Sequence, residues 1–400
     1  MLDLQLLAQT AAVAPDPKLI AHGLFLLMVV AFLALDLGVF HRDAHEVSMK
    51  EALTWSVIWV TLGLAFSLVV YAAYEGQWFS LGANTALYNP AANTDPAAPL
   101  LITGTVSGFE AAKQYLTGYV VEKSLAMDNI FVIAILFGYF AVPAKYQHRV
   151  LFWGILGALV MRGAMIAVGG SLILQYQWVL IIFGLFLLLT AVKMVFAGEE
   201  KDPTNNPVVR LMKRIFPVTE FYDGQRFITK RTLAPTYSRD PNTGKEVQDP
   251  PPAGTLRARW AITPLLLVLV LVEITDLVFA VDSIPAIFAI TPDPFIVFTS
   301  NVFAILGLRS LYFCLAALIS KFRFLKPALI LILAFVGVKL LLLSVPPYLD
   351  DMGAIFGVAL EAGSAIKVST TLSLSVVLGL LASAVIASIL APSPKEAKSS

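Results

Sequence analysis

Nine apolar runs, each roughly the length of a bilayer crossing, limit what this chain can fold into. They lie near 19–40, 52–74, 115–142, 148–170, 173–197, 261–290, 295–318, 326–345 and 369–391. A hydrocarbon core about 30 Å thick takes about 20 residues of helix. Within it only helices and closed barrels satisfy their own backbone hydrogen bonds. Apolar runs of this length read as helices, so the expectation is an all-α polytopic membrane protein with about nine transmembrane helices. Composition agrees, with 58% hydrophobic and 14% charged residues, where a soluble domain carries about 25% charged. The first 17 residues hold no Lys or Arg and do not read as a signal peptide. The single cysteine, Cys314, sits in an apolar run and excludes an intramolecular disulfide.

The net charge of +1 hides a segregation along the chain. With the N-terminus placed outside, alternate connections fall inside and hold 20 of the 28 Lys and Arg residues. Eleven of them lie in 198–259. The 75–110 connection has almost no basic residues and reads as an outer loop. The bias toward basic residues on the cytoplasmic side therefore predicts N-terminus outside and C-terminus inside. The segregation gives no ground for expecting nucleic acid as a partner; membrane lipid is the expected surroundings. Residues 198–259 read as a cytoplasmic loop, in which Leu211–Phe216 can lie on the membrane surface as a short amphipathic helix. Both connections are loops rather than domains, leaving one membrane domain over 1–400.

The sequence repeats itself inside the membrane. Glu122-Lys123-Ser124-Leu125-Ala126-Met127-Asp128-Asn129-Ile130 matches Asp276-Leu277-Val278-Phe279-Ala280-Val281-Asp282-Ser283-Ile284. Span four carries Ile155-Leu156-Gly157 and then Arg162; span seven carries Ile305-Leu306-Gly307 and then Arg309. Span five has Lys193 where span eight has Lys339. Spans 3–5 (about 115–197) thus correspond to spans 6–8 (about 261–345), and the span at 369–391 is an addition. Three helices separate equivalent positions, so the halves are inverted, as in many transporters that bind substrate at the repeat interface.

Intramembrane carboxylates are costly and mark functional sites by default. Carboxylate, amide and hydroxyl oxygens are hard ligands that suit Mg, Ca or Mn. The candidate metal ligands are Glu122, Asp128, Asn129, Asp276, Asp282, Ser283, Glu273 and Asp36. Lys123, Arg162, Arg309 and Lys339 are candidates for charge pairing or gating. The six acids outnumber these four bases by two charges, the charge of one divalent cation. A structural reading stands beside this one: buried charges are normally paired, and these bases can neutralise the acids. Glu122 and Asp128 are six residues apart, roughly 9 Å of rise and about 240° of turn, so one unbroken helix cannot aim both at one ion. The expected arrangement joins Asp128 and Asp282 across the repeat axis, with Glu122 and Asp276 lining opposite approaches. Pro285 predicts a kink near Val281. Asp36 reads either as a gate or as a helix-end carboxylate beside Arg42.

No P-loop, Ser/His/Asp arrangement, haem or flavin signature is present in the sequence. The expectation is a protein that is not an enzyme and has no cofactor, with a metal ion as transported substrate. Two other functions remain open. Arg162 and Arg309 could bind an oxyanion, or the chain could be a membrane scaffold that docks cytoplasmic partners through 198–259.

Several stretches resemble a known family. They are Leu35-Asp36-Leu37-Gly38-Val39-Phe40, Glu122 through Asn129, Tyr146 through Gly154, Ala280 through Ala289, and Thr299-Ser300-Asn301 with Phe303 through Phe313. Together they are similar to the TerC family of integral membrane proteins over roughly 20–345; the tail beyond matches less. The family is named for tellurium resistance and is grouped with LysE-type exporters. The resemblance implies manganese efflux across a bacterial inner membrane, with Mn²⁺ as substrate. It also implies that Asp36, Glu122, Asp128, Glu273, Asp276 and Asp282 are the working acids.

Overall fold

The computed structural model describes residues 17–35, 48–93, 95, 98–176, 178–196, 207–233, 236–239, 246–249, 256–316, 324–346 and 365–390, and these are the residues considered below. The helices are α1 (Pro17–Leu35), α2 (Met49–Glu75), α3 (Gly108–Tyr139), α4 (Ala144–Gln175), α5 (Val179–Phe196), α6 (Pro207–Ile215), α7 (Pro264–Phe288), α8 (Pro294–Leu306), α9 (Leu308–Ala316), α10 (Leu325–Ser344) and α11 (Thr370–Leu390). Among the described residues, eight segments are long and apolar enough to cross a membrane, with α8 and α9 forming one of them. The expected span missing from these eight is the third, which is α3. It has 32 residues, ample length for a crossing, but it carries the charges of the first motif. Large apolar side chains such as Leu19, Val57, Leu68, Val160, Leu189 and Phe196 are exposed on the helix faces. Apolar exposure on this scale is foreign to a water-soluble surface and suits contact with lipid.

Helix starts follow local chemistry. Ser48 and Ser107 cap α2 and α3, each accepting from the amide of a glutamate three residues on (Glu51 and Glu110), both at 3.3 Å. Asp293 caps α8 by accepting from the Phe295 amide at 2.9 Å, with Pro294 at the first helical position. Pro285 sits inside α7, which continues to Phe288. The seventh span is broken, which the sequence did not announce: α8 stops at Leu306 and α9 begins at Leu308. A Cβ on Gly307 would stand 2.8 Å from the Cβ of Trp59, so glycine lets α2 pass the break.

The packing obeys the repeat. α3 packs on α8 and α4 packs on α7; α3 also meets α7, and α5 meets α10. Exchanging spans 3, 4, 5 with 6, 7, 8 maps this set of neighbours onto itself. Close approach depends on small residues. A Cβ on Gly184 of α5 would meet Leu341 of α10 at 2.7 Å, and one on Gly337 of α10 would meet Leu188 of α5 at 3.1 Å.

The two long connections cover opposite ends of the bundle. Residues 75–107 hold an antiparallel hairpin, β1 (Thr85–Tyr88) with β2 (Leu101–Gly104). Its Tyr88 hydroxyl donates to the Phe288 carbonyl at the end of α7, at 2.5 Å. The other connection holds α6 and two small antiparallel pairs, β3 (Ile228–Arg231) with β6 (Leu256–Ile262) and β4 (Tyr237–Arg239) with β5 (Glu246–Gln248). Its Tyr222 hydroxyl donates to the Phe140 carbonyl at the end of α3, at 2.7 Å. α3 and α7 are equivalent and inverted, so their C-terminal ends lie on opposite sides. The expected short helix near 211–216 is α6, one turn longer at its start.

Candidate functional site

The register of the repeated motif decides which residues meet. Glu122 and Asn129 are seven residues apart on α3, two helical turns, and so share a face. Asp276 and Ser283 stand in the same relation on α7. The inverted crossing then sets Glu122 beside Ser283 and Asn129 beside Asp276. Two observations establish this pairing. Asn129 Nδ2 donates to Asp276 Oδ1 at 2.9 Å. Glu122 Oε1 and Ser283 Oγ (3.3 Å) both accept from Nη1 of Arg162. This cross-pairing shows that α3 and α7 run antiparallel where they cross, as an inverted repeat requires.

Arg162 enters the crossing from α4 and is 1% exposed, among the largest fully buried side chains of the chain. Its Nε and Nη2 grip Asp276 at 3.2 and 3.0 Å, and its Nη1 pairs with Glu122 and reaches Asn301 Oδ1 on α8 at 3.1 Å. The expected separation of Glu122 and Asp276 onto opposite approaches is therefore corrected: both carboxylates hold the same guanidinium. The reason is their register, since the face shared by positions 122 and 129 meets the face shared by 276 and 283. Asn301 was not among the expected ligands. Its signal was the polar triplet Thr299-Ser300-Asn301 inside an apolar span, where each residue is fully buried. Gly118 of α3 lies under Ser300, whose Oγ would be 2.8 Å from a Cβ there, so the two helices can approach closely enough to bring Asn301 to Arg162.

Satisfaction is incomplete in this cluster. Glu122 Oε2, Asn129 Oδ1 and Asn301 Nδ2 are buried without a hydrogen-bond partner. So is Glu273 Oε2, on the same face of α7 as Asp276 and one turn earlier. The Glu273 carboxylate fills the space that a Cβ at position 157 would need, which accounts for Gly157 in α4. A narrow cleft lined by Asn129, Gly154, Ala158, Thr275 and Asp276 borders the site. The Asp276 side chain is 14% exposed, against none for Glu122.

The remaining expected residues lie elsewhere. Asp282 accepts from the Thr190 hydroxyl of α5 at 2.9 Å and borders a small apolar cleft with Leu125, Met194, Phe279, Leu329 and Leu333. Thr190 was also missed, because a lone threonine in an apolar run carries no distinctive signal. Asp128 has its backbone in α3, one residue before Asn129, and its side chain falls outside the described residues, as does all of Asp36. The expected meeting of Asp128 with Asp282 thus lies outside the described residues. Lys123 is buried and donates to the Ala304 carbonyl at 3.0 Å. That carbonyl belongs to the last turn of α8, so Lys123 closes a helix end that the break would leave without a donor. Lys339, also buried, donates to Ser373 of α11 at 2.8 Å and ties the last span to the repeat. Arg309 is buried at the start of α9. Among the described residues no group of three His, Cys, Asp or Glu side chains forms a metal-binding set. The oxygens around Arg162 are two carboxylates supplemented by one amide, of Asn301, and one hydroxyl, of Ser283.

Comparison with known proteins places this architecture. Residues 107–396 match the model of the TerC family of integral membrane proteins, so the match extends through the last span, beyond the 345 expected from sequence motifs. An uncharacterised membrane protein of Myxococcus xanthus is 39% identical over 367 residues, 92% of this chain and 91% of its own length. Alx of Escherichia coli (strain K12), named as a candidate membrane-bound redox modulator, is 42% identical over 84% of this chain and 90% of its own. A membrane protein of Rickettsia bellii is 34% identical over 82% of this chain and 90% of its own. No solved structure matches. Inverted helical repeats, a charged site at their crossing and family motifs through the last span lead to one assignment: the chain is a multi-pass integral membrane protein and belongs to the TerC family.

Proposed function

We propose that this protein exports divalent cations, foremost Mn²⁺, across a bacterial inner membrane, binding them on intramembrane carboxylates at the crossing of the two repeats. The observation that carries this reading is the set of oxygens from α3, α7 and α8 that gathers around one positive charge. These are hard oxygens, and the site is built to hold a cation. Two carboxylates against one guanidinium leave a net charge of −1 if all are ionised. A divalent ion on the two acids alone would be neutralised. Protons are the natural counter-substrate, because the same carboxylates bind them.

An oxyanion at Arg162 is disfavoured by the same geometry, since the anion would have to displace two carboxylates already in contact. The name of Alx points to redox chemistry, but an intramolecular dithiol is not open to a chain with one cysteine. The eleven basic residues of 198–259 support a cytoplasmic position for that connection.

Uptake of Mn²⁺ into proteoliposomes holding the purified full chain tests the reading, with Mg²⁺, Ca²⁺ and tellurite as parallel substrates and an imposed proton gradient. Mn²⁺ flux that depends on the protein and responds to the gradient is expected. Tellurite flux without any cation flux would refute it.

A further inference from the structure

We propose that Arg162 is a tethered competitor for the transported cation, moving between the Glu122/Asp276 pair and Glu273. This deepens the cation-transport reading and rests on it. In the present conformation the guanidinium occupies the oxygens that a cation would need. Five of its hydrogen bonds end on Glu122, Asp276, Ser283 and Asn301. A purely structural pair needs the two acids only. Here the neutral oxygens of Ser283 and Asn301 complete a coordination set of the kind that hard divalent ions take.

The guanidinium is a poor final occupant. Glu122 Oε2 and Asn129 Oδ1 stay buried without partners beside it. The guanidinium donates to neither, whereas a spherical ion with about six ligands can use oxygens from every side. Buried oxygens left unsatisfied around a satisfied charge indicate a site shaped for something else.

The structure also provides a second berth. Side chains on a helix lean toward its N-terminus, which for Arg162 is the direction of Ala158, Gly157 and Gly154. Gly154 and Ala158 stand eight and four residues before Arg162 and line the narrow cleft beside Asp276. One turn before Asp276 on α7, over Gly157 of α4, lies the Glu273 carboxylate, with a buried oxygen that has no hydrogen-bond partner. When a divalent ion takes Glu122 and Asp276, the displaced guanidinium finds its counter-charge at Glu273. When Arg162 returns, its positive charge helps expel the ion. Asp276, reached by the cleft and partly exposed, is where the exchange begins.

The two ends of this movement can be separated by mutations of opposite sign. Mn²⁺ affinity is measured by titration calorimetry on the purified full-length protein, with Mn²⁺ alone as the probe. Arg162→Gln removes the competitor and is expected to tighten Mn²⁺ about tenfold, the gain if the unblocked state is about one-tenth populated. Glu273→Gln removes the berth and is expected to weaken Mn²⁺. The double variant should resemble Arg162→Gln, because the berth serves only Arg162. Unchanged or weaker Mn²⁺ binding by folded Arg162→Gln overturns the proposal. If that variant does not fold, Arg162→Lys retains the charge without the fork. It should tighten Mn²⁺ by a smaller factor, and unchanged or weaker binding overturns the proposal equally. Wild type and all variants silent to Mn²⁺ would sink the cation reading itself, and the switch with it.

Discussion

Two faces of the same repeated helix behave differently. The face carrying Glu122 and Asn129 on α3 meets its counterpart, Asp276 and Ser283 on α7; Glu122, Asp276 and Ser283 bind Arg162, and Asn129 joins them through Asp276. The face carrying Asp282, one residue from Ser283, turns to α5, where the Thr190 hydroxyl donates to it beside a small apolar cleft. Both aspartates of the second motif lie in the membrane. Asp276 is held by the Arg162 guanidinium. The lesson is that spacing by seven, not the presence of an acid, selects the members of the central site.

The largest expected contrast lies between these faces. Asp276→Asn should cut Mn²⁺ flux in proteoliposomes by at least about 100-fold, the upper range for disturbing groups that orient metal ligands. Asp282→Asn should cost about tenfold or less, because Thr190 can bond an amide as well as a carboxylate. Equal losses would erase the distinction between the faces. A structural role for Asp276 makes a different forecast: the variant would be poorly folded, because loss of one partner of a buried ion pair costs about 3–5 kcal/mol.

Acid should weaken the central site next. Protons compete with metal for carboxylates, so apparent Mn²⁺ affinity is expected to fall as pH drops from 8 to about 5.5. Calorimetry across that range reads it directly. Binding that strengthens in acid would place the metal on groups other than Glu122 and Asp276.

A smaller effect separates the central site from its scaffold. Lys123 neighbours Glu122 in sequence but serves the end of α8. Lys123→Met should lower stability by about 1–3 kcal/mol, the cost of an unsatisfied buried carbonyl, and leave flux per folded molecule close to wild type. A thermal melt and a flux assay on the same preparation distinguish this from a transport role. Orientation should be unaffected by any of these changes. A cysteine placed at Asn242 should resist an impermeant reagent in intact cells; labelling there would reverse the topology.

Much of this was legible in the chain. Runs of about 20 apolar residues map onto helices because lipid leaves the backbone no alternative. The repeat was visible because its halves retain charges that lipid would otherwise exclude. α3 was recognisable as an apolar run although its charges lower its hydropathy, and its motif recurs in α7. Pairing was harder to read. The sequence lists Glu122, Asp128, Asp276 and Asp282 as equals, and their mutual register depends on the depth at which two inverted helices cross. Asn301 and the break after Leu306 depend on tertiary approach, through Gly118 beneath Ser300 and Gly307 beneath Trp59. Neither glycine differs in sequence from one that serves ordinary helix packing.

The central claim is that a cation replaces the Arg162 guanidinium between Glu122 and Asp276. An experimental structure of the full chain at saturating Mn²⁺, with anomalous scattering recorded at the manganese edge, tests it most directly. The account expects one anomalous peak at direct ligand distance from both carboxylates, with the guanidinium moved toward Glu273. A peak beside Asp282, or a saturated protein whose guanidinium still bridges Glu122 and Asp276, would contradict it.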